Sequence, residues 1–391
     1  MTNDTVTSST RPILYSFDPT DQFNGPPTGN FTFLAVQNAP GRRDNSNIFD
    51  PRLLGVPWPT SFPVSVQSRH WKEAERAAKQ LAANILSVLP QDHELTQLEG
   101  HSSLTQMSKY DELIETGVTA SINMFPASNP RRAELMAKAN LLIFIHDDRV
   151  EVGQIEVKLV SNITRGSSIF EEDLAEVQFS DKALEEAQMW QNNPFHQFAL
   201  EVVDEDPANA KEFLGGMLRW ARHTRRNPPK QQTEFASFAD YIRYRIEDFA
   251  VEWVIASLKI SCEVTLSTSE MEALAPARQL YMTHISLTND LYSYSKEVLQ
   301  MKDGGALVNG VHVLQSLLGV CPNTAKVILR NILWSIENQL DQMYDDFEQS
   351  GKFSKDQLRL FRGMVESLAG NTFYSATTYR YACVVPGSAL E

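Results

Sequence analysis

The residues best equipped for chemistry fall in two clusters far apart in the chain. In His146-Asp147-Asp148-Arg149-Val150-Glu151, a helix puts Asp147 and Glu151 four apart and Asp148 and Glu151 three apart, so three carboxylates converge on one face. They follow directly on an apolar run, Leu141 to Ile145. Anions crowded at the end of a buried segment repel one another and lose hydration, so they call for a compensating cation. Oxygen-only ligands favour a hard ion such as Mg²⁺, which keeps waters and bridges to phosphate. A bare acidic tetrad reads equally well as a solvated turn at a helix end.

The second cluster is Asn289-Asp290-Leu291-Tyr292-Ser293-Tyr294-Ser295-Lys296-Glu297. Asn289, Ser293 and Glu297 sit at i, i+4 and i+8, which stacks an amide oxygen, a hydroxyl and a carboxylate along one helix face. Three oxygens with a single charge can chelate one divalent ion and leave positions for phosphate and water. Lys296 is adjacent and can touch the same anion. A polar stripe on a surface helix is the alternative, and nine matched positions weigh against it.

These two segments resemble the aspartate-rich motif and the (N/D)Dxx(S/T)xxxE motif of class I terpene synthases, particularly microbial ones. The resemblance implies that the motifs face each other across a cavity and hold three Mg²⁺ ions. Asp147 would bridge two of them with Asp148 and Glu151 assisting, and Asn289, Ser293 and Glu297 would hold the third. The 142 positions between Asp147 and Asn289 suit opposite helices of one bundle. Tyr241-Ile242-Arg243-Tyr244-Arg245 looks like the family's YxxxR segment, which makes Arg245 the first candidate for sensing diphosphate and Arg243 the alternative. Arg380-Tyr381 matches the family's C-terminal RY pair, and the planar fork of arginine suits phosphate oxygens. Microbial members often carry tryptophan six residues before RY. This chain has Tyr374 there, a weaker cation-stabilising face than indole.

The elements that must position these residues are helical. Residues 1–65 hold nine of the nineteen prolines, which reads as a loop-rich extension; Phe31, Phe33, Leu34 and Trp58 give it apolar points with which to pack on the body. From residue 66 to 391 the pattern predicts one domain, an all-α, antiparallel helical bundle. Helical stretches are expected at Trp71–Leu89 and Ala133–Val152, and at 182–191, 208–226, 236–260, 269–302, 310–318, 323–350 and 354–383. Residues 153–160 alternate weakly and read as helix continuation or connecting loop.

Composition bounds the partners. Of the 391 residues, 42% are hydrophobic and 21% charged, and the formal net charge is −14. That charge argues against nucleic acid, which demands a basic face; the compact stretch Arg222, Arg225, Arg226 and Lys230 reads as a solvated helix end. An acidic enzyme binds diphosphate when metal ions bring the positive charge. Cys262, Cys321 and Cys383 are widely spaced and odd in number, so they read as reduced thiols. No basic-then-apolar leader and no membrane-length apolar run occurs, so the expectation is a cytoplasmic protein, with a homodimer among the assemblies this allows. The sequons at Asn30 and Asn162 then read as chance matches.

Together with the resemblance, these readings predict a Mg²⁺-dependent terpene cyclase. It would ionise an isoprenyl diphosphate, farnesyl diphosphate being favoured, and cyclise the cation to a sesquiterpene. Arg245, Lys296, Arg380 and Tyr381 would hold the diphosphate, and Phe144 and Tyr374 would line the cavity. The alternatives are a diterpene cyclase acting on geranylgeranyl diphosphate, a chain-elongating prenyltransferase and a non-catalytic helical scaffold. An elongating enzyme should carry a second aspartate-rich motif where the asparagine–serine–glutamate motif stands. No DxDD string, Gly-rich phosphate loop or GxSxG elbow is present. His146-Asp147 lacks the second His-rich segment of a metal hydrolase, and Tyr344-Asp345-Asp346-Phe347-Glu348 has the wrong spacing and reads as a solvated face.

Overall fold

Helix starts are written locally in the chain. Asn129 accepts the amide of Arg132 just before Pro130 opens a helix, a position where proline's missing N–H costs nothing. Ser267 with Glu270 and Ser354 with Gln357 form reciprocal capping boxes, and Ser108 caps through the amide of Asp111. The computed structural model describes residues 10–20, 30–35, 44–88, 108–151, 194–226, 234–302 and 307–390.

Among these, the helices are α1 (Thr32–Ala35), α2 (Trp71–Val88), α3 (Lys109–Met124), α4 (Pro130–Glu151), α5 (Pro194–Glu205), α6 (Ala210–Arg226), α7 (Phe238–Asp248) and α8 (Val251–Ser261). They continue with α9 (Thr268–Ala273), α10 (Ala275–Lys302), α11 (Gly310–Leu318), α12 (Pro322–Ser350), α13 (Lys355–Thr377) and α14 (Tyr379–Ala382). A two-stranded antiparallel hairpin, β1 (Ser46–Phe49) and β2 (Ser65–Ser68), pairs Ser46 with Ser68 and Phe49 with Ser65. The all-α expectation holds, with three refinements. The stretch 236–260 is two helices, because Ala250 takes a left-handed φ of 58° between α7 and α8. The stretch 269–302 breaks at Leu274, and 354–383 breaks at Thr378, whose ψ of 138° turns the chain before α14. Three helices the sequence pattern did not mark, the single turn α1 and the longer α3 and α5, are present. The stretches 153–160 and 182–191, Asn162 and Lys230 lie outside the described residues, as do the side chains of Arg225 and Arg226.

The core is built around α10 and α13. Helix α13 is buried along almost its whole length, from Leu360 to Thr377, because it packs against α3, α8, α10 and α12 and carries the hairpin on a further side. Its contact with α3 needs glycine: a Cβ at Gly370 would overlap the carbonyl oxygen of Asn123. The N-terminal stretch lies on this body. Phe31 and Leu34 are fully buried, and Phe33 and Trp58 nearly so. The amides of Asn30 and Phe31 donate to Asp341 on α12 at 2.7 and 2.8 Å. Asp18 pairs with Arg330 at 2.5 Å where both are buried. No described helix is long and apolar enough to cross a membrane.

Candidate active site

Helix α10 sets the register of one wall. Asp290 is fully buried and receives Arg245 Nε at 2.8 Å, the Tyr241 hydroxyl at 2.5 Å and the amide of Gly310 at 3.1 Å. Burial pushes its carboxyl upward, while Arg245 and Tyr241 pull it back. Burial likewise opposes the charge of Arg245, yet Asp290, Tyr241 and Asp248 more than offset that and keep the guanidinium protonated. The approach is close: a Cβ at Gly310 would sit 2.9 Å from Asp290 Oδ2. Leaving either charge without its partner in such a setting costs about 3–5 kcal/mol.

With Asp290 turned inward, Asn289 emerges beside it. Its Oδ1 accepts from Arg245 Nη2 at 2.8 Å, and its Nδ2 donates to the Tyr381 hydroxyl at 2.6 Å. One turn on, the Ser293 hydroxyl donates to Glu297 Oε1 at 2.6 Å. Asn309 caps α11 through the amide of Val311 and turns its Nδ2 to the other carboxylate oxygen, Glu297 Oε2, at 3.1 Å. Asn289, Ser293 and Glu297 thus share one face. Their donor atoms are all oxygen and are held in place by groups that an ion can replace, so the set suits a hard divalent cation.

Arg245 and Arg243 are separated by the helix turn. Arg243 is exposed on the outside of α7 and pairs with Asp240. Arg245 is buried, pairs with Asp248 at 2.5 Å as well as Asp290, and touches the motif residue Asn289. Of the two, Arg245 is the one brought to the site.

The opposite wall is α4. Asp147 lies 3.3 Å from Arg380 Nη2, and the guanidinium of Arg380 sits 5.3 Å over the Phe144 ring. Arg380 is 2% exposed. Since Tyr381 bonds Asn289, two consecutive residues of α14 reach both motifs. Tyr374 packs edge-on against Tyr381 with centroids 6.0 Å apart; burial raises the Tyr381 hydroxyl to about 12, Arg380 opposing, so it stays a donor at neutral pH. Lys296 is half-buried, and its charge is felt at the Cys383 thiol just past α14. The side chains of Asp148 and Glu151 lie outside the described residues, and among the described ones no cluster of three His, Cys, Asp or Glu forms a metal site.

His146 turns the other way: Nε2 lies 2.9 Å from the Thr224 hydroxyl and its ring meets Trp220 edge-on. It is a satisfied core histidine. Asp345, Asp346 and Glu348 are exposed on α12. What sequence reading missed are the supports: Asp290, Tyr241, Asp248 and Asn309. Asp290 stands inside the nonapeptide already read, and Asn309 directly precedes a predicted helix, a cap position. Burial, which gives them their role, is not visible in the chain.

The fold is the all-α fold of class I terpenoid synthases. A crystal structure of aristolochene synthase from Penicillium roqueforti aligns with a TM-score of 0.57 at 16% identity, covering 78% of this chain and 95% of that one, a likeness that bears on fold alone. The chain belongs to the terpene synthases: residues 138–339 match the model of terpene synthase family 2, C-terminal metal binding. It is 30% identical over 382 residues to terpene cyclase aneC of Aspergillus aculeatus, covering 95% of this chain and 82% of that protein. It is 29% identical to terpene cyclase 6 of Gibberella fujikuroi, with 95% of each covered. A cyclopiane-type diterpene synthase of Penicillium chrysogenum is 27% identical over 66% of this chain and 33% of its own length.

Proposed function

We propose that this terpene synthase is a cytoplasmic, Mg²⁺-dependent cyclase that ionises farnesyl diphosphate and closes the cation to a sesquiterpene. Residues 66–391 form its catalytic body and 1–65 an extension packed on that body. The observation that supports the site most directly is that Arg380 reaches Asp147 while its neighbour Tyr381 reaches Asn289. Asp147, Asp148 and Glu151 on one wall and Asn289, Ser293 and Glu297 on the other would hold three Mg²⁺ ions. When bound, these ions neutralise the leaving diphosphate as Lewis acids.

The chain's own groups do the rest. Arg245, Lys296, Arg380 and the Tyr381 hydroxyl donate to diphosphate oxygens, so the allylic C–O bond breaks with its electron pair going to the leaving group. Asp290 keeps Arg245 charged and aimed. Phe144 and Tyr374 present aromatic faces to the allylic cation and help to keep water from it. Farnesyl diphosphate is favoured by the wording of the Asn289–Glu297 motif. A diterpene cyclase acting on geranylgeranyl diphosphate is the second reading, favoured by the match to the Penicillium chrysogenum diterpene synthase.

Incubation of the purified chain with Mg²⁺ and each of the C10 to C25 diphosphates, with mass spectrometry of the volatiles, tests the substrate. A C15 hydrocarbon from farnesyl diphosphate is expected, and turnover of C20 alone favours the second reading. Asp147→Ala and Asn289→Ala should each lower turnover by at least about 10³-fold with the helical circular dichroism unchanged. Full activity in either would sink the assignment.

A further inference from the structure

Helix α14 is one turn long and carries both Arg380 and Tyr381. The chain turns sharply into it at Thr378, and the Thr378 side chain does not cap it. A helix start in a buried setting needs acceptors for its first amides. Here the acceptor comes from another helix. Glu115, in the middle of α3, takes the Thr378 hydroxyl on Oε2 at 3.2 Å and the backbone amide of Tyr379. Its other oxygen lies 3.7 Å from Arg11 Nη1, with the two side chains only 14% and 21% exposed.

Arg11 belongs to a strap, residues 10–20, that runs along the same turn. The amide of Phe17 donates to the Ala376 carbonyl and that of Ser16 to the Ser388 carbonyl, Tyr15 bridges to Ala389, and the Tyr15 ring packs edge-on against Tyr379. The diphosphate-reading turn is therefore held from within by Glu115 and from outside by the strap, and Glu115–Arg11 joins the two.

We propose that Glu115 is a positioning residue for the diphosphate grip: it fixes the turn that presents Arg380 and Tyr381 by accepting from Thr378 and Tyr379, with Arg11 of the strap as its counter-charge. This rests on the reading of Arg380 as a diphosphate ligand. Burial pushes the Glu115 carboxyl up to about 7 despite Arg11, Thr378 and Tyr379. A carboxylate held at that cost, with Thr378 and Arg11 as its partners, is accounted for by what it holds and not by core packing.

The test is a double-mutant cycle on the full chain, read as binding of inorganic diphosphate in the presence of Mg²⁺ by calorimetry. In the Arg380 background Glu115→Ala should weaken binding about tenfold, one main-chain and one hydroxyl hydrogen bond being lost at the turn. In the Arg380→Ala background the same change should cost under about twofold, because the group it positions is gone. Glu115→Gln keeps an acceptor and should recover part of the loss; it replaces alanine throughout the cycle should Glu115→Ala not fold. Equal losses in both backgrounds would mean that Glu115 acts elsewhere, and the proposal would be overturned while Arg380 kept its role. If Arg380→Ala alone leaves diphosphate binding unchanged, the reading of the site fails first and this proposal with it.

Discussion

At the scale of single residues, the site works by pairing every buried charge. Asp290 answers Arg245 and Tyr241, Asp147 answers Arg380, and Glu115 answers Arg11. Glu115 also ties stability to pH. The groups that face it are Arg11 from the strap, Glu112 from its own helix, Thr378 and Tyr379 from α14, and Tyr374 from α13. Its carboxyl titrates near 7 in the fold against 4.5 ordinarily. Between those values the folded chain keeps a proton that the unfolded chain has lost, so stability falls as pH rises through the window. A shift of that size corresponds to about 3 kcal/mol. Glu115→Gln removes this term. Urea midpoints of both proteins at pH 5 and pH 8 should show the parent losing stability relative to the glutamine variant by an amount of that order. A difference independent of pH would contradict it.

At the scale of elements, contact between α3 and α13 decides where the RY turn can sit, since α13 leads into α14 and α3 carries Glu115. Gly370 is the closest point of that contact. Gly370→Ala must push the helices apart against main-chain atoms, not flexible side-chain ends. It should destabilise by about 3 kcal/mol, the upper part of the overpacking range, seen as a lower thermal midpoint, with diphosphate affinity falling as well. An unchanged midpoint would show that the two helices are not held at this spacing. Element breaks were the part of the sequence least open to reading. Ala250 and Leu274 are among the best helix formers, and Thr378 is a mediocre one but no breaker. Ala250 and Thr378 interrupt 236–260 and 354–383 because tertiary packing turns the chain there, with neither glycine nor proline to announce it. The break at Leu274 is marked in the chain by Pro276, in the first turn of α10, where its missing N–H costs nothing.

At the scale of the whole molecule, the two walls come from α4 and α10, and α14 reaches both from the far end of the chain. Ligands that bridge the walls bind the folded chain and not the unfolded one, so Mg²⁺ together with inorganic diphosphate should raise the thermal midpoint. At a hundred times the dissociation constant the gain is about 2.7 kcal/mol. Diphosphate without metal, or with a chelator present, should leave the midpoint nearly unchanged; equal stabilisation without metal would argue against the all-oxygen sites of Asp147 and Asn289.

The chain by itself determined the all-helical class, the acidic tetrad and the Asn289–Glu297 stripe, because each rests on local spacing that a helix of 3.6 residues per turn makes physical. The RY pair stood out only through its resemblance to the family's motif. Only tertiary structure decided between Arg243 and Arg245. They lie two apart, hence on different sides of α7, and it took the buried Asp290 of α10 to capture one of them while the other stayed in solvent with Asp240. The same holds for Glu115. Nothing in Asp-Glu-Leu-Ile-Glu-Thr sets it apart from its neighbours. Its role arises from Thr378, Tyr379 and Arg11, which lie 263, 264 and 104 positions away and come together only when the bundle closes.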